Sequence, residues 1–274
     1  MRRSALPLLI AACVVVAAVL AWLAVGRMFR TSAEEPAGPI VAETRTPGAW
    51  TRLKISGQAD VELVQGDRHE VLVEAHENRL SAVRTRVDDG TLVVTVSTRT
   101  GGRPFGGGKR AVPRIVVTSP VLERISLAGA IKVASRSLDV PSLRVNASGA
   151  TSMRIDELKA GSLRFDGSGA VKAVIAGSVD DQAISLSGAG DFRAANLVSD
   201  TAKVTVAGAG RVVVNARRTL RVSLSGAGSV EYLGNPELTQ SVSGLGRIKR
   251  RDADADAGHT RFRLAATHAR ACRA

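Results

Sequence analysis

The sequence predicts an all-β protein, a right-handed parallel β-helix (solenoid) with coils of about 19 residues, preceded by one N-terminal transmembrane or signal helix. Three observations lead to this fold class. A motif of the form Ser-Gly-Ala-Gly recurs at a nearly constant interval, and alternating apolar residues flank each copy. Aromatic residues make up only 3% of the 274 residues. Val, Leu, Ile and Ala must therefore fill the core, which suits regularly stacked strands.

An uncharged apolar run opens the chain at residues 5–26, directly after Arg2 and Arg3. The run is long enough to cross a bilayer, and basic residues ahead of it keep the N-terminus in the cytoplasm. We therefore expect residues 1–30 to act as a signal anchor. A cleaved signal peptide stays open as the alternative, although the run is longer than a usual cleavable segment. Residues 31–47 are polar and contain proline, which predicts a linker.

The repeat domain is predicted to span residues 48–250. From Gly129 onward, the first glycines of the motif are 20, 20, 19, 20, 18 and 18 residues apart. This unit is too short for a propeller blade or a helical repeat. The eight motif glycines, to which we assign a structural role, are Gly57, Gly129, Gly149, Gly169, Gly188, Gly208, Gly226 and Gly244.

Apolar residues alternate with polar ones around every motif, and this period of two belongs to strands. The motif glycines fall in the apolar phase, as Gly226 does after Val222 and Leu224. We therefore expect them to face inward at a tight corner that leaves no room for a side chain, with Ser and Ala outward. Stacked coils would then bury like residues against like. A β-sandwich is the alternative, but it requires no fixed period.

Residues 48–124 are less regular than the later repeats. Strands are predicted at 71–75, 92–96 and 114–118, with a turn at Asp89-Gly90. A glycine-rich basic loop over residues 98–112 is expected to interrupt the solenoid. Its Gly106–Lys109 stretch lacks the spacing and the following helix of a phosphate-binding loop.

The formal net charge of +13 is unevenly distributed. Residues 31–246 hold 26 basic and 22 acidic residues, so the repeat domain is only mildly basic and total charge does not indicate nucleic-acid binding. A basic, disordered tail is expected over 251–274. Candidate contacts for an anion or another partner are Arg99, Arg103, Lys109 and Arg110 in the loop, with Lys249, Arg250 and Arg251 near the tail.

Residues with catalytic or metal-binding chemistry form no convincing pattern. His69 and His76 have no cysteine near them, and Asp252, Asp254 and Asp256 lack the glycine and distal glutamate of a calcium loop. The motif serines are structural by their repetition. The sequence thus predicts no catalytic residue, no cofactor and no metal site.

The order of short motifs resembles a known family. The relevant stretches are residues 53–57 (LKISG), 60–67 (DVELVQGD), 73–78 (VEAHEN), 89–92 (DGTL), the serial SGAG copies and 232–236 (YLGNP). They resemble the family described as putative auto-transporter adhesin, head GIN domain, over about residues 45–250. The resemblance implies a parallel β-helical, envelope-associated domain without established catalysis.

The leading hypothesis is a non-catalytic scaffold or adhesin-like binding module in the bacterial cell envelope. It would be held at the membrane through residues 5–26 and would contact an envelope glycan or protein, not nucleic acid. Two alternatives remain open. One is a polysaccharide-active β-helix enzyme, which needs clustered carboxylates in a groove, and the other is a structural protein that polymerises through its exposed ends.

Overall fold

The computed structural model describes residues 38–97 and 112–251, and these residues form the predicted all-β fold. Twelve strands join in one sheet, and the one described helix, α1, spans only Glu77–Leu80. The strands are β1 (Ile40–Arg45), β2 (Arg52–Gln65), β3 (Glu70–His76), β4 (Val83–Asp88), β5 (Thr91–Val96), β6 (Arg114–Ser119), β7 (Arg124–Gly188), β8 (Asp191–Gly208), β9 (Arg211–Gly226), β10 (Ser229–Leu233), β11 (Glu237–Gly244) and β12 (Arg247–Arg250).

The predicted membrane segment at residues 5–26 lies outside the described residues, as does the tail from residue 252. Within 38–97 and 112–251, the structure contains no helix with the length and apolarity needed to cross a bilayer.

Parallel pairing joins each repeat to the next. The strand order is β1-β3-β6-β2-β7-β8-β9-β10-β12, with β11 beside β9. The motif glycines are register partners, so Gly188 pairs with Gly208, Gly208 with Gly226 and Gly226 with Gly244. The strand β7 runs through 65 residues and several copies of the motif, whereas β8, β9 and β11 each end at a motif glycine that is followed by a second glycine two residues later.

All eight motif glycines adopt a positive φ, between +86° and +128°. A Cβ on Gly149 would lie 2.7 Å from the carbonyl oxygen of Gly129, and a Cβ on Gly208 would lie 2.7 Å from that of Gly188. The expected inward orientation is wrong for these residues, because the six from Gly149 onward are exposed. Their missing side chain would point at the backbone of the preceding repeat, which is why only glycine fits.

The second glycine of the motif faces the interior instead. A Cβ on Gly190 would lie 3.0 Å from the side chain of Leu186, and one on Gly246 would lie 2.3 Å from that of Leu224. The lack of interior space that we expected at the first glycine therefore applies to the second one.

Antiparallel strands occupy the N-terminal end of the sheet. β3 pairs with β6, β1 pairs with β3, and β4 pairs with β5 across the turn at Asp89-Gly90. The predicted strands at 71–75, 92–96 and 114–118 are confirmed as β3, β5 and β6. β1 lies within the segment predicted as a linker. Both β5 and β6 pair with β2, and residues 98–111 of the predicted basic loop lie outside the described residues.

The core consists of inward-facing Val, Ile, Leu and Ala with a few large side chains. Phe165 and Phe192 are both fully buried, with ring centroids 5.1 Å apart. Phe192 pairs in register with the small Ala173 of the preceding repeat, so a large residue sits next to a small one and the interior is filled evenly. Trp50 is also buried and contacts the ring of His69.

A polar cluster interrupts the apolar core near β8. Gln182 and Ser199 are buried, Gln182 Nε2 donates to Ser199 Oγ at 2.7 Å, and Ser199 Oγ donates to the carbonyl oxygen of Asn215 at 2.9 Å. Gln182 Oε1 has no hydrogen-bond partner. A buried acceptor without a partner costs stability.

Replacing Gln182 with Met removes the orphan oxygen, but it also removes the two hydrogen bonds that Gln182 Nε2 donates to Ser199 Oγ and to the carbonyl oxygen of Asn215. These effects offset each other, so the free energy of unfolding should change by less than about 1 kcal/mol. Ser199→Ala is the control, and it should lower stability by about 1 kcal/mol through the loss of two hydrogen bonds. Urea unfolding of the full chain measures both. If Gln182→Met lowers the free energy of unfolding by more than about 2 kcal/mol, the statement that Gln182 Oε1 has no partner is wrong.

Candidate binding face

The outward residues just before each motif glycine form columns across the sheet. Because partners in the parallel register sit at equal offsets from their glycines, residues five, three and one positions before the glycine stack in three columns. Neighbouring strands are about 4.8 Å apart, so like side chains repeat at that interval. We call the surface formed by these columns the binding face.

The column five residues before the glycine begins with four arginines, Arg52, Arg124, Arg144 and Arg164, which we call the arginine ladder. Arg52 pairs in register with Arg124, and all four line one open groove of about 240 Å³. The column continues through Ala183 to Lys203 and Arg221. Ser142 and Ser162 line the same groove, and Glu123 is its one carboxylate.

The outer two arginines of the ladder have carboxylate partners. Arg52 lies 3.2 Å from Asp89, and Arg164 lies 2.9 Å from Asp166. Arg124 and Arg144 are exposed, and within the part of the chain that the structure describes neither forms an ion pair. Two adjacent guanidinium groups at the centre of the ladder thus lack an ion pair among the described residues, and Glu123 is the carboxylate that lines the groove with them.

Arginines elsewhere on the sheet show the contrast. Hydrogen bonds from Arg114 to Glu62 and Glu74, at 2.7 and 2.9 Å, raise the pKa of Arg114 above its usual range. A hydrogen bond to Asp191 likewise raises the pKa of Arg193. These guanidinium groups are already engaged by carboxylates, whereas the ladder's centre is available to an external anion.

Short polar side chains line a second groove of about 360 Å³ beside the ladder, which we call the serine groove. Its outward residues include Lys54, Ser126, Asn146, Asp166 and Ser185. The serine next to the motif glycine is structural: Ser148 Oγ donates to the carbonyl oxygen of Leu127 at 3.0 Å. The groove therefore offers hydroxyl, amide and carboxylate groups from the column three residues before the glycine.

A third groove, of about 410 Å³, lies after the glycines on the other side of the bend. Val174 and Val213 contribute apolar surface, and Arg193, Arg211 and Arg251 lie around it with Glu231. Arg251 pairs with Glu231 at 3.7 Å. Among the residues predicted from sequence as anion contacts, Arg251 is the one that lines a described groove.

The other predicted contact residues fall into two groups. Arg99, Arg103, Lys109 and Arg110 lie outside the described residues. Lys249 and Arg250 belong to β12, at the far end of the sheet from β5 and β6, which flank that loop. Arg250 donates a hydrogen bond to Asn235 Oδ1 at 3.2 Å.

Chemistry-bearing side chains are sparse in the grooves. The three grooves above contain one carboxylate each: Glu123, Asp166 and Glu231. Within residues 38–97 and 112–251, no three His, Cys, Asp or Glu side chains come together as metal ligands would. Trp50, Phe165 and Phe192 are buried, so they offer no aromatic platform at the surface.

The arginine ladder is not among the residues predicted from the sequence, although the sequence contains its signal. Each of its four arginines stands five residues before a motif glycine. Counting charge over whole segments hides this offset, whereas aligning the repeats on their glycines makes the column visible.

The chain is similar to proteins of one described family. The model of the family described as putative auto-transporter adhesin, head GIN domain matches residues 49–236. A solved putative adhesin from Bacteroides fragilis is similar with 22% identity and a TM-score of 0.73, over 79% of this chain and 99% of that one. No protein of curated function matches the chain.

Two further solved structures have the same fold. A putative adhesin from Parabacteroides merdae has 18% identity and a TM-score of 0.61, over 78% of this chain and 97% of that one. A putative lipid binding protein from Parabacteroides distasonis has 19% identity and a TM-score of 0.59, over 78% and 98%.

Proposed function

The chain belongs to the putative auto-transporter adhesin, head GIN domain family, and we propose that it is a non-catalytic, adhesin-like binding module of the bacterial cell envelope. The observation that carries this proposal is the binding face, where stacked repeats present the same kinds of polar and cationic side chain in columns. A repetitive surface of this kind suits a repetitive or extended partner.

In this proposal the parallel sheet winds as a right-handed solenoid of about 19 residues per coil. The register of one repeat between partner strands supports the winding. Further bends at Gly177 and Gly234 support it too, since a Cβ there would meet the carbonyl oxygens of Leu158 and Ala216. Right-handedness follows from the general preference of parallel connections.

The grooves favour binding over glycan cleavage. Hydrolysis of a glycosidic bond needs two carboxyl groups that face each other across the substrate, and Asp166 in the serine groove is hydrogen-bonded to Arg164 at 2.9 Å. A polymer-forming role has weaker support. The parallel strands β11 and β12 end one side of the sheet, but antiparallel β1 and β4 end the other, so the two ends do not match.

The membrane segment completes the proposal. Residues 5–26 would hold the chain at the outer face of the cytoplasmic membrane, with the repeat domain exposed to envelope components. The adhesin-like description of the family agrees with an extracellular or envelope-associated position.

Crosslinking on intact bacterial cells tests this proposal. The tagged full chain should fractionate with the membrane, and a short crosslinker should attach it to an envelope polymer or protein. As a control, the same crosslinker would be added after the chain has been extracted with detergent, and no such adduct should form. Recovery in the cytosol, or the absence of any specific adduct on cells, would contradict the proposal.

A further inference from the structure

We propose that the partner is a linear anionic polymer, with oxyanions repeated along a polyol or sugar chain, and that it lies along the arginine ladder across successive repeats. This inference rests on the proposed binding function and names the chemistry of its ligand. Four stacked arginines, two of them without an ion pair among the described residues, carry it.

The spacing of the ladder determines the direction of the ligand. Adjacent rungs are about 4.8 Å apart, so the four arginines extend over about 14 Å at right angles to the strands. A chain lying along this line places one anionic group opposite every one or two rungs. Guanidinium groups are suited to such contacts because they bind phosphate and carboxylate with two donors each.

The exposure of the ladder indicates a polymer instead of a free ion. Single exposed ion pairs contribute only about 0.2–1 kcal/mol each, so one small anion would be held weakly. Several such contacts on one connected chain reinforce each other because later contacts form within the complex. Hydroxyl and amide side chains lie on both sides of the ladder and can form hydrogen bonds with the hydroxyl groups of the polymer. They belong to Ser142, Ser162, Ser126 and Asn146.

Two other classes of polyanionic partner fit the arginine ladder less well. Single-stranded nucleic acid is bound through aromatic stacking of its bases, and no aromatic residue lines the ladder's groove. A lipid bilayer favours apolar side chains that insert beside the cations. The exposed large apolar residues among those described are Ile40, Val64, Val242 and Leu245, and none of them lines this groove.

Retaining the two central cations has a cost. Like charges at directly opposed positions of neighbouring strands destabilise a sheet, and Arg124 and Arg144 occupy neighbouring repeats with no carboxylate partner among the described residues. Neutralising them should therefore weaken ligand binding without lowering the thermal unfolding midpoint. A purely structural role for these arginines would give the opposite result, a lower midpoint.

The test uses the full chain in non-ionic detergent and fluorescently labelled polymers. Polygalacturonate supplies carboxylates, poly(glycerol phosphate) supplies phosphodiesters, and dextran and oligo-dT are the neutral and nucleic-acid comparisons. At least one of the two anionic polymers should bind, more weakly as salt rises. The double variant Arg124→Gln, Arg144→Gln should bind it about tenfold more weakly, because two exposed ion pairs are lost.

The matched control removes the same charge elsewhere, at Arg136 and Arg217, which are exposed and lie outside the described grooves. Arg136→Gln, Arg217→Gln should bind as the unmodified chain does. Equal weakening in both double variants, equal binding of dextran, tighter binding of oligo-dT, or no binding of either anionic polymer would each overturn the inference.

Sedimentation with purified envelope fragments separates this inference from the proposed function. If the unmodified chain and the Arg124→Gln, Arg144→Gln variant sediment equally with the fragments, the ladder is not the contact but the envelope-binding function stands. If the unmodified chain does not sediment at all, both proposals fail.

Discussion

Gly208→Ser is expected to lower the free energy of unfolding by about 3–5 kcal/mol, although the residue is exposed and the introduced side chain is small. The φ of Gly208 is +124°, a conformation that costs a residue with a Cβ about 1–3 kcal/mol. The new Cβ would also lie 2.7 Å from the carbonyl oxygen of Gly188. The backbones of the two repeats must therefore move apart, which weakens hydrogen bonds worth about 1 kcal/mol each.

Ala209→Ser is the control for this prediction, because it introduces the same side chain one residue later. Ala209 is exposed and has no positive φ, so its replacement should cost less than about 0.5 kcal/mol. Chemical denaturation of the full chain, followed by circular dichroism, measures both variants. Similar stabilities for the two would contradict the role assigned to the motif glycine.

Phe192→Ala should lower the free energy of unfolding by about 3–5 kcal/mol. Its ring is fully buried against Phe165, and its register partner Ala173 cannot fill the space that the ring leaves. Rigid stacking on both sides prevents collapse of the cavity, which places the cost toward the upper end of that range.

Leu245→Ala provides the comparison for the core, because Leu245 is 88% exposed. Its loss should change the unfolding free energy by less than about 0.5 kcal/mol. A cost below about 1.5 kcal/mol for Phe192→Ala would show that the interior repacks and is less rigid than the stacked register implies.

The sequence predicted the repetitive β-domain because its cause is local. A glycine at positive φ stands at the same place in every repeat, so the period of the motif reports the period of the stacking. The direction in which Gly149 points could not be predicted in the same way. Alternation assigns a phase to each residue, but at a bend the Cα–Cβ direction runs along the stack and not into the core.

Non-local contacts account for the other differences. The strand β1 was predicted as part of a linker. Its partner, β3, lies about 30 residues further along the chain, so no local pattern reveals the pairing. The polar cluster around Gln182 joins three repeats, so no single repeat reveals it. The arginine ladder lies between these cases. It spans several repeats, but each of its arginines stands at the same distance in sequence from a motif glycine.

Arginine footprinting is the most direct measurement of the claim that the binding face contacts the envelope. The full chain would be treated with phenylglyoxal in the presence and absence of purified envelope fragments, and modified arginines would be located by mass spectrometry. We predict that the fragments protect Arg124 and Arg144 while Arg136 and Arg217 remain equally reactive. Protection of Arg136 and Arg217 instead, or of none of the four, would contradict this account.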